Sequence, residues 1–405
     1  MYTEDAVSTG DDDASLDVFS QACADDPHPV YQEMHARCPV GREDGMFGPS
    51  ATLSRYDDVL WALKHPEVFS SKDVVKIGND VPLIPLSIDP PEHAKYRRLL
   101  DPQFSPKRMA ELEPEARALV NEIIDDFVAS GECDFHEDFA TPLPSTVFLR
   151  LMGWPSADLP RFLQWRDDVI RPDVARGDFE AAAVIRAEAG KQINAYFEAA
   201  IDTAQLVPGP VGRPPGLLVE LATADFGGRP LTRAELLGIC HLMLLGGLDT
   251  VTATLDCMIV YLARHPERRQ ELLDDPSLTA AAVEELLRYE SPVMVIPRIV
   301  ARAVTLGGVD LEPGDLVTVV IGAANVDAAA FDQPDQVDWS RDLNRHVAFG
   351  SGNHLCLGAH LARLELRVAL EELHARIPDY RLPDGVELHF SPGIRQAEHL
   401  PLVWG

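Results

Sequence analysis

The run FGSGNHLCLG at 349–358 constrains this chain more than any other ten residues, because it sets one cysteine among three glycines just before a strongly helical stretch, 359–375. Gly350, Gly352 and Gly358 admit backbone conformations and close approaches that side chains resist, so a tight loop here can lie against a flat ligand. Cys356 then sits at a helix N-terminus, where unpaired amides and the helix dipole lower a thiol pKa and favour the thiolate that binds metal. The other cysteines, at 23, 38, 133, 240 and 257, show no paired metal spacing, and a chain of 405 residues does not need disulfide staples. They read as free thiols.

The rest of the chain is mostly helical in pattern. Apolar periodicity predicts helices over 56–64, 92–100, 115–130, 141–151, 179–204 and 284–289, with ordered structure starting at 29–37. Strand signals at 51–54, 298–306, 315–321 and 386–390 are too few for a dominant sheet. The Pro/Gly run 208–216 reads as a loop. Residues 1–16 are acidic and have little to bury, which predicts a disordered tail ahead of a single domain over 17–405. A formal charge of −30 repels nucleic acid and anionic membrane as general partners. No stretch reads as the roughly 18 to 20 uncharged apolar residues of a spanning helix. The expectation is a cytoplasmic, monomeric protein.

The span 232–264 reads as one long helix, capped by Thr232 with Glu235 and stopped by Pro266. It is apolar nearly all round, so it should run through the core. At its centre stand Gly246, Gly247, Leu248, Asp249 and Thr250. Each glycine costs about 1 kcal/mol relative to alanine, and a buried carboxylate costs more unless satisfied. Close helix packing with an incidental Asp competes with a functional opening of the helix.

The cysteine loop resembles the haem-binding loop of the cytochrome P450 family, and further segments of that family follow in order over nearly the whole chain. Glu285 and Arg288 form its ExxR pattern, and FDQPDQVDWSR at 331–341 resembles the meander whose Arg341 interlocks with them. The resemblance implies a triangular, mainly α fold with a small β region, built around haem b. Cys356 would be the axial thiolate, with Phe349, Gly350, His354 and Gly358 in the loop against the haem. His93 and Arg97 match an HxxxR pair on the haem propionates, and Arg298 stands where the family has another such arginine. Asp249 and Thr250 match the acid-alcohol pair that supplies protons for O–O cleavage, the two glycines opening the helix for O2.

The implied chemistry is monooxygenation by O2 and two electrons, with machinery like the camphor-hydroxylating bacterial type. No flavin or iron–sulfur signature occurs here, so electrons would come from an acidic ferredoxin and its reductase. A patch of Arg98, Arg108, Arg363 and Arg367 is expected to dock that donor. Where the family has its pocket, this chain offers Val81, Leu83, Ile84, Leu86, Leu242, Leu245, Gly246, Val293, Val295, Ile296 and Ile394, all apolar or glycine. Such a lining suits a terpenoid or norisoprenoid skeleton. If Arg171, Arg176 or Arg186 points inward, a fatty or aromatic acid fits instead. The Asp249-Thr250 pair argues against a peroxide-driven enzyme, and together with an apolar pocket against a haem sensor.

Overall fold

The computed structural model describes residues 16–37, 39–45, 48–72, 74, 81–174, 178–206 and 216–405. The expected tail, apart from Leu16, lies outside them, as do Cys38, Arg176 and most of the 208–216 loop. Among the described residues, cysteines 23, 133, 240, 257 and 356 are free.

Helices form the body. The longest buried packing is between Pro106–Phe127 and Ala359–Arg376, the latter leading directly out of the cysteine loop. Pro106–Phe127 buries Met109, Ala116, Leu119, Val120, Ile123, Ile124 and Phe127, a face of helical period. It begins nine residues before the expected start at 115, because Pro114 reads as a boundary yet lies inside the helix. An interior proline costs about 3 kcal/mol, which the seven buried apolar side chains offset.

The strands are β1 (Val40–Gly45), β2 (Gly48–Leu53), β3 (Phe69–Ser70), β4 (Glu132–Asp134), β5 (Val295–Val300), β6 (Val304–Leu306), β7 (Val309–Leu311), β8 (Leu316–Val320) and β9 (Pro401–Val403). One sheet runs β1-β2-β8-β5-β3, with β2 parallel to β8, and β4-β9 and β6-β7 are two-stranded ribbons. The expected strand at 298–306 divides into β5 and β6, and the one at 386–390 reduces to a single bridge between Phe390 and Ala397. In β5, Arg298 pairs in register with Val317.

The expected single helix over 232–264 is two helices, Arg233–Leu248 and Thr250–Arg264, meeting at Asp249, whose φ of −122° leaves the helical range. The capping box of Thr232 and Glu235 is formed. Two glycines just before the break weaken the helix there. Contrary to the sequence expectation, 233–264 is long and apolar enough to cross a membrane, but 72% of its most apolar window is buried inside the protein. It is the core helix of the fold.

Candidate functional site

Residues 349–358 close on themselves through the Cys356 amide, which donates to the Phe349 carbonyl at 2.9 Å, and the Gly350 amide, which donates to Val347 at 2.7 Å. Gly352 has φ of +68°, and a Cβ there would lie 2.7 Å from the Leu63 carbonyl, so this position admits only glycine. Cys356 is solvent-accessible, yet enough protein surrounds its thiol that burial pushes its pKa up. The Gly358 amide and the Arg97 and Arg363 cations act the other way and do not prevail, so the expected lowering by the helix N-terminus is not found in the polypeptide alone.

Above this loop four cationic or donor side chains gather from three parts of the chain. His93 and Arg97 come from helix His93–Leu100, Arg298 from β5 and His354 from the loop. The His93 and His354 rings lie 4.3 Å apart. Arg97 donates to Leu355 O at 2.6 Å and through Nε to Asp101 at 2.6 Å, tying its helix to the loop. Arg298 is buried, and its one hydrogen bond here is to the adjacent Pro297 carbonyl. Burial lowers its pKa to about 10, against the pull of Asp89. Burial, His93, Arg298 and Arg97 together press His354 down to about 3. The Nε2 atoms of both histidines are buried without partners. This donor set fits two carboxylates of a bound group.

The ExxR segment, in helix Thr279–Glu290, makes a different kind of cluster. Arg288 is fully buried and uses all its N–H groups: two to Glu285 at 2.8 and 2.9 Å, the others to the carbonyls of Asn325, Pro334 and Gln336. Glu285 also accepts from Arg341 Nε at 3.0 Å, Asn344 Nδ2 at 3.0 Å and the Asp338 amide at 3.0 Å. Asp338 belongs to the meander segment named from sequence, whereas Asn344 lies beyond it and stands at no distinctive spacing.

On the core helix, Asp249 is fully buried and held by both Nη atoms of Arg171, at 2.5 and 3.1 Å. Burial alone would lower the Arg171 pKa, but Asp249 together with Asp167 and Asp256 outweighs it and the shift is upward. Thr250 donates to Gly246 O at 3.2 Å. The two glycines differ in role. A Cβ on Gly247 would meet the Phe148 ring at 2.5 Å, so that position serves close helix packing, whereas Gly246 faces open space. The expectation that both glycines open the helix is not met at Gly247.

Leu242, Leu245 and Gly246, spaced three and four apart, form a partly exposed face of the core helix. Val293 and Ile394 bridge each other. Ile296, one of the residues expected to line the pocket, approaches to 3.9 Å from where a Gly350 Cβ would lie and so abuts the cysteine loop. Leu86 is partly exposed beside fully buried Leu83 and Ile84, and Ile84 seats on Gly238 through its amide, 3.2 Å from the carbonyl. Val81 packs against the main core. Val295 departs from this set: strand alternation turns it to the other side of β5, where it packs with Met34, Met294 and Val320. Two surface hollows, of about 610 and 240 Å³, lie along the 330–345 segment and between Pro106 and Arg367, and neither is lined by Cys356 or the core helix.

The expected patch of free arginines is not formed. Arg363 pairs with Glu284 at 2.6 Å, Arg367 with Glu113 and Glu371 at 2.6 and 3.0 Å, and Arg108 with Glu220 at 2.7 Å. Arg98 alone of the four is exposed without an ion pair among the described residues.

Residues 187–374 match the family model described as Cytochrome P450. The vitamin D(3) 25-hydroxylase of Pseudonocardia autotrophica is 34% identical over 403 residues, covering 96% of each chain. The steroid C26-monooxygenase of Mycobacterium tuberculosis is 33% identical over 93% of each. Among solved structures, CYP109E1 from Bacillus megaterium in complex with testosterone superposes with a TM-score of 0.87 at 29% identity, over 95% of this chain and all of that one.

Proposed function

The chain belongs to the cytochrome P450 family and is a haem-thiolate monooxygenase with haem b as its cofactor, and on that premise we propose that it hydroxylates a neutral, largely hydrocarbon substrate of terpenoid or norisoprenoid kind. Bound haem supplies the oxygen chemistry, and the protein's part is ligation, orientation and proton supply. In this reading Cys356 would hold the haem iron through its thiolate. Arg97, Arg298, His93 and His354 would hold the propionates, which would answer the unpartnered imidazole nitrogens and the nearly unbonded Arg298. Asp249 and Thr250 deliver protons, Asp249 after leaving Arg171. Glu285, Arg288 and Arg341 keep the meander beside the loop.

One observation carries the choice of a neutral substrate. Of Arg171, Arg176 and Arg186, the arginines that could anchor a carboxylate, Arg171 is committed to Asp249, and Arg186 donates to the Val169 carbonyl at 2.9 Å. Arg176 lies outside the described residues. With both described cations taken, an acid entering the pocket finds no counter-charge and loses its hydration. The relatives named for vitamin D(3), a steroid and testosterone are consistent with fused or branched hydrocarbon substrates. Electrons are proposed to arrive from an acidic ferredoxin with its reductase, in the cytoplasm.

Titration of the ferric holoenzyme with neutral terpenoids, norisoprenoids and sterols, and separately with fatty and aromatic acids, tests the substrate class. Neutral compounds should displace iron-bound water and shift the Soret band at lower concentration. Acids shifting it first would overturn this reading and point to an Arg freed from its partner.

A further inference from the structure

Six residues beyond Thr250 the core helix carries a second buried carboxylate, which the proposed reaction does not use. Asp256 is fully buried, and its Oδ2 lies 2.8 Å from His136 Nδ1 and accepts from the Ala397 amide at 3.2 Å. His136 opens a π-helical turn, His136–Ala140, and the carbonyl of Ala140 accepts from the Thr252 hydroxyl at 2.9 Å. Thr252 and Asp256 are four apart on one face, so the helix is stitched to both ends of that turn.

The other ring nitrogen of His136 faces Thr141 Oγ1 at 3.4 Å and the Gln396 amide at 3.3 Å. A hydroxyl donates or accepts, and an amide can present either end, so both neighbours accommodate the ring with or without its second proton. Asp256 Oδ1 and Gln396 Oε1 are buried without partners. The charged groups facing the pair are Glu137 on the same turn, 4.0 Å from His136 Nε2, Arg166 from helix Leu159–Ile170, and Asp134 near Asp256. Burial would lower the His136 pKa, but Asp256 together with Glu137 outweighs it and the net shift is upward; burial also raises Asp256. Asp249 stands at the N-cap of the helix that carries Asp256 about two turns further on, and the Asp256 charge acts on Arg171 alongside Asp249 and Asp167.

We propose that His136 and Asp256 are positioning residues, a buried proton-sharing pair whose charge sets how tightly Arg171 grips Asp249. With the proton present the pair is neutral overall, and Arg171 answers to Asp249 and Asp167. Once the proton has passed to water, the unbalanced charge of Asp256 competes for Arg171 and loosens Asp249. The proposal rests on the reading of Asp249 as the acid of the reaction.

Two measurements on the holoenzyme test it. In the reduced, carbon-monoxide-bound form, which is diamagnetic, NMR of isotope-labelled histidine reads His136 without turnover. His136 should titrate above an ordinary histidine, and Asp256→Asn should lower its midpoint. A ring that titrates no higher than an ordinary histidine overturns the proposal even if no variant folds. The second measurement is product formed per reductant consumed against pH. Wild-type coupling should rise about fivefold across the His136 titration, and His136→Gln and Asp256→Asn should each flatten the profile. Unchanged slopes in both variants, beside an Asp249→Asn variant that is impaired, overturn the pair and spare the acid. An unimpaired Asp249→Asn variant overturns the reading of Asp249 and the proposal with it.

Discussion

Arg288 and Arg298 stand ten residues apart and are both buried, but one is finished and the other is not. Arg288 spends every N–H on Glu285 or on a carbonyl of 325–336. Arg298 has a single carbonyl beside it, a depressed pKa, and three other cationic or imidazole groups as neighbours. A buried charge whose partners are all protein is part of the scaffold; one left short of partners in a cluster of like sign is built for something that arrives from outside. The difference separates residues that hold the fold from those proposed to hold the cofactor.

Breaking the finished cluster should have the largest effect. Arg288→Ala leaves Glu285 short of a partner and the carbonyls of Asn325 and Pro334 without their donor, a loss of about 3 to 5 kcal/mol on removing one member of a buried ion pair. Urea unfolding of the apoprotein should show it, because the cluster is complete before haem binds. Arg298→Leu should leave apoprotein stability unchanged or improved, since it removes a desolvated cation with one bond, while weakening haem binding by about 1.5 to 3 kcal/mol per charged hydrogen bond lost. If both variants destabilise the apoprotein alike, the distinction between scaffold and cofactor clusters fails.

Acid sharpens the same comparison at a smaller scale. His354 takes its proton at about 3 when folded and near 6.5 when not. Between those values the unfolded chain binds more protons, so apoprotein stability is full above about pH 6.5 and falls as pH is lowered toward 3. His93, also lowered by burial and by Arg97, adds in the same direction. Haem propionates beside the ring favour its charged form, so the holoenzyme should lose less stability on acidification. His354→Asn should flatten the apoprotein profile; a profile equally steep in that variant would assign the acid sensitivity elsewhere.

What could be read in advance divides along physical lines. The cysteine loop, the ExxR pair and the propionate candidates are short-range patterns in which each residue's neighbours in sequence carry the constraint. The grip of Arg171 on Asp249 could not be chosen from three candidate arginines, because the partner is selected by where two helices cross. His136 and Asp256, 120 positions apart, carry no local signature at all. The break at Asp249 and the proline inside Pro106–Phe127 misled for a related reason: apolar periodicity reports which face is buried, not whether tertiary packing will carry a helix across a weak point. Val295 was placed in the pocket by position, where strand alternation against Ile296 and Arg298 turns it away.

The smallest expected effect concerns the donor surface, where the same test of completeness applies to exposed charge. Arg363 and Arg367, expected to be free, are each paired with carboxylates from neighbouring helices. A paired arginine presents little net field, and exposed pairs are worth about 0 to 1 kcal/mol. Arg363→Glu and Arg367→Glu should therefore change the rate of reduction by a ferredoxin that supports turnover by less than about fivefold, with nearly unchanged salt dependence. Arg98→Glu, which alters a cation with no ion pair, should slow reduction more and lower its sensitivity to ionic strength. Steering of an acidic donor onto a chain of charge −30 requires a local surplus of positive charge, and among these four only Arg98 supplies one. A steep loss in Arg363→Glu with Arg98→Glu unaffected would mean that the Arg363–Glu284 pair opens when the donor docks.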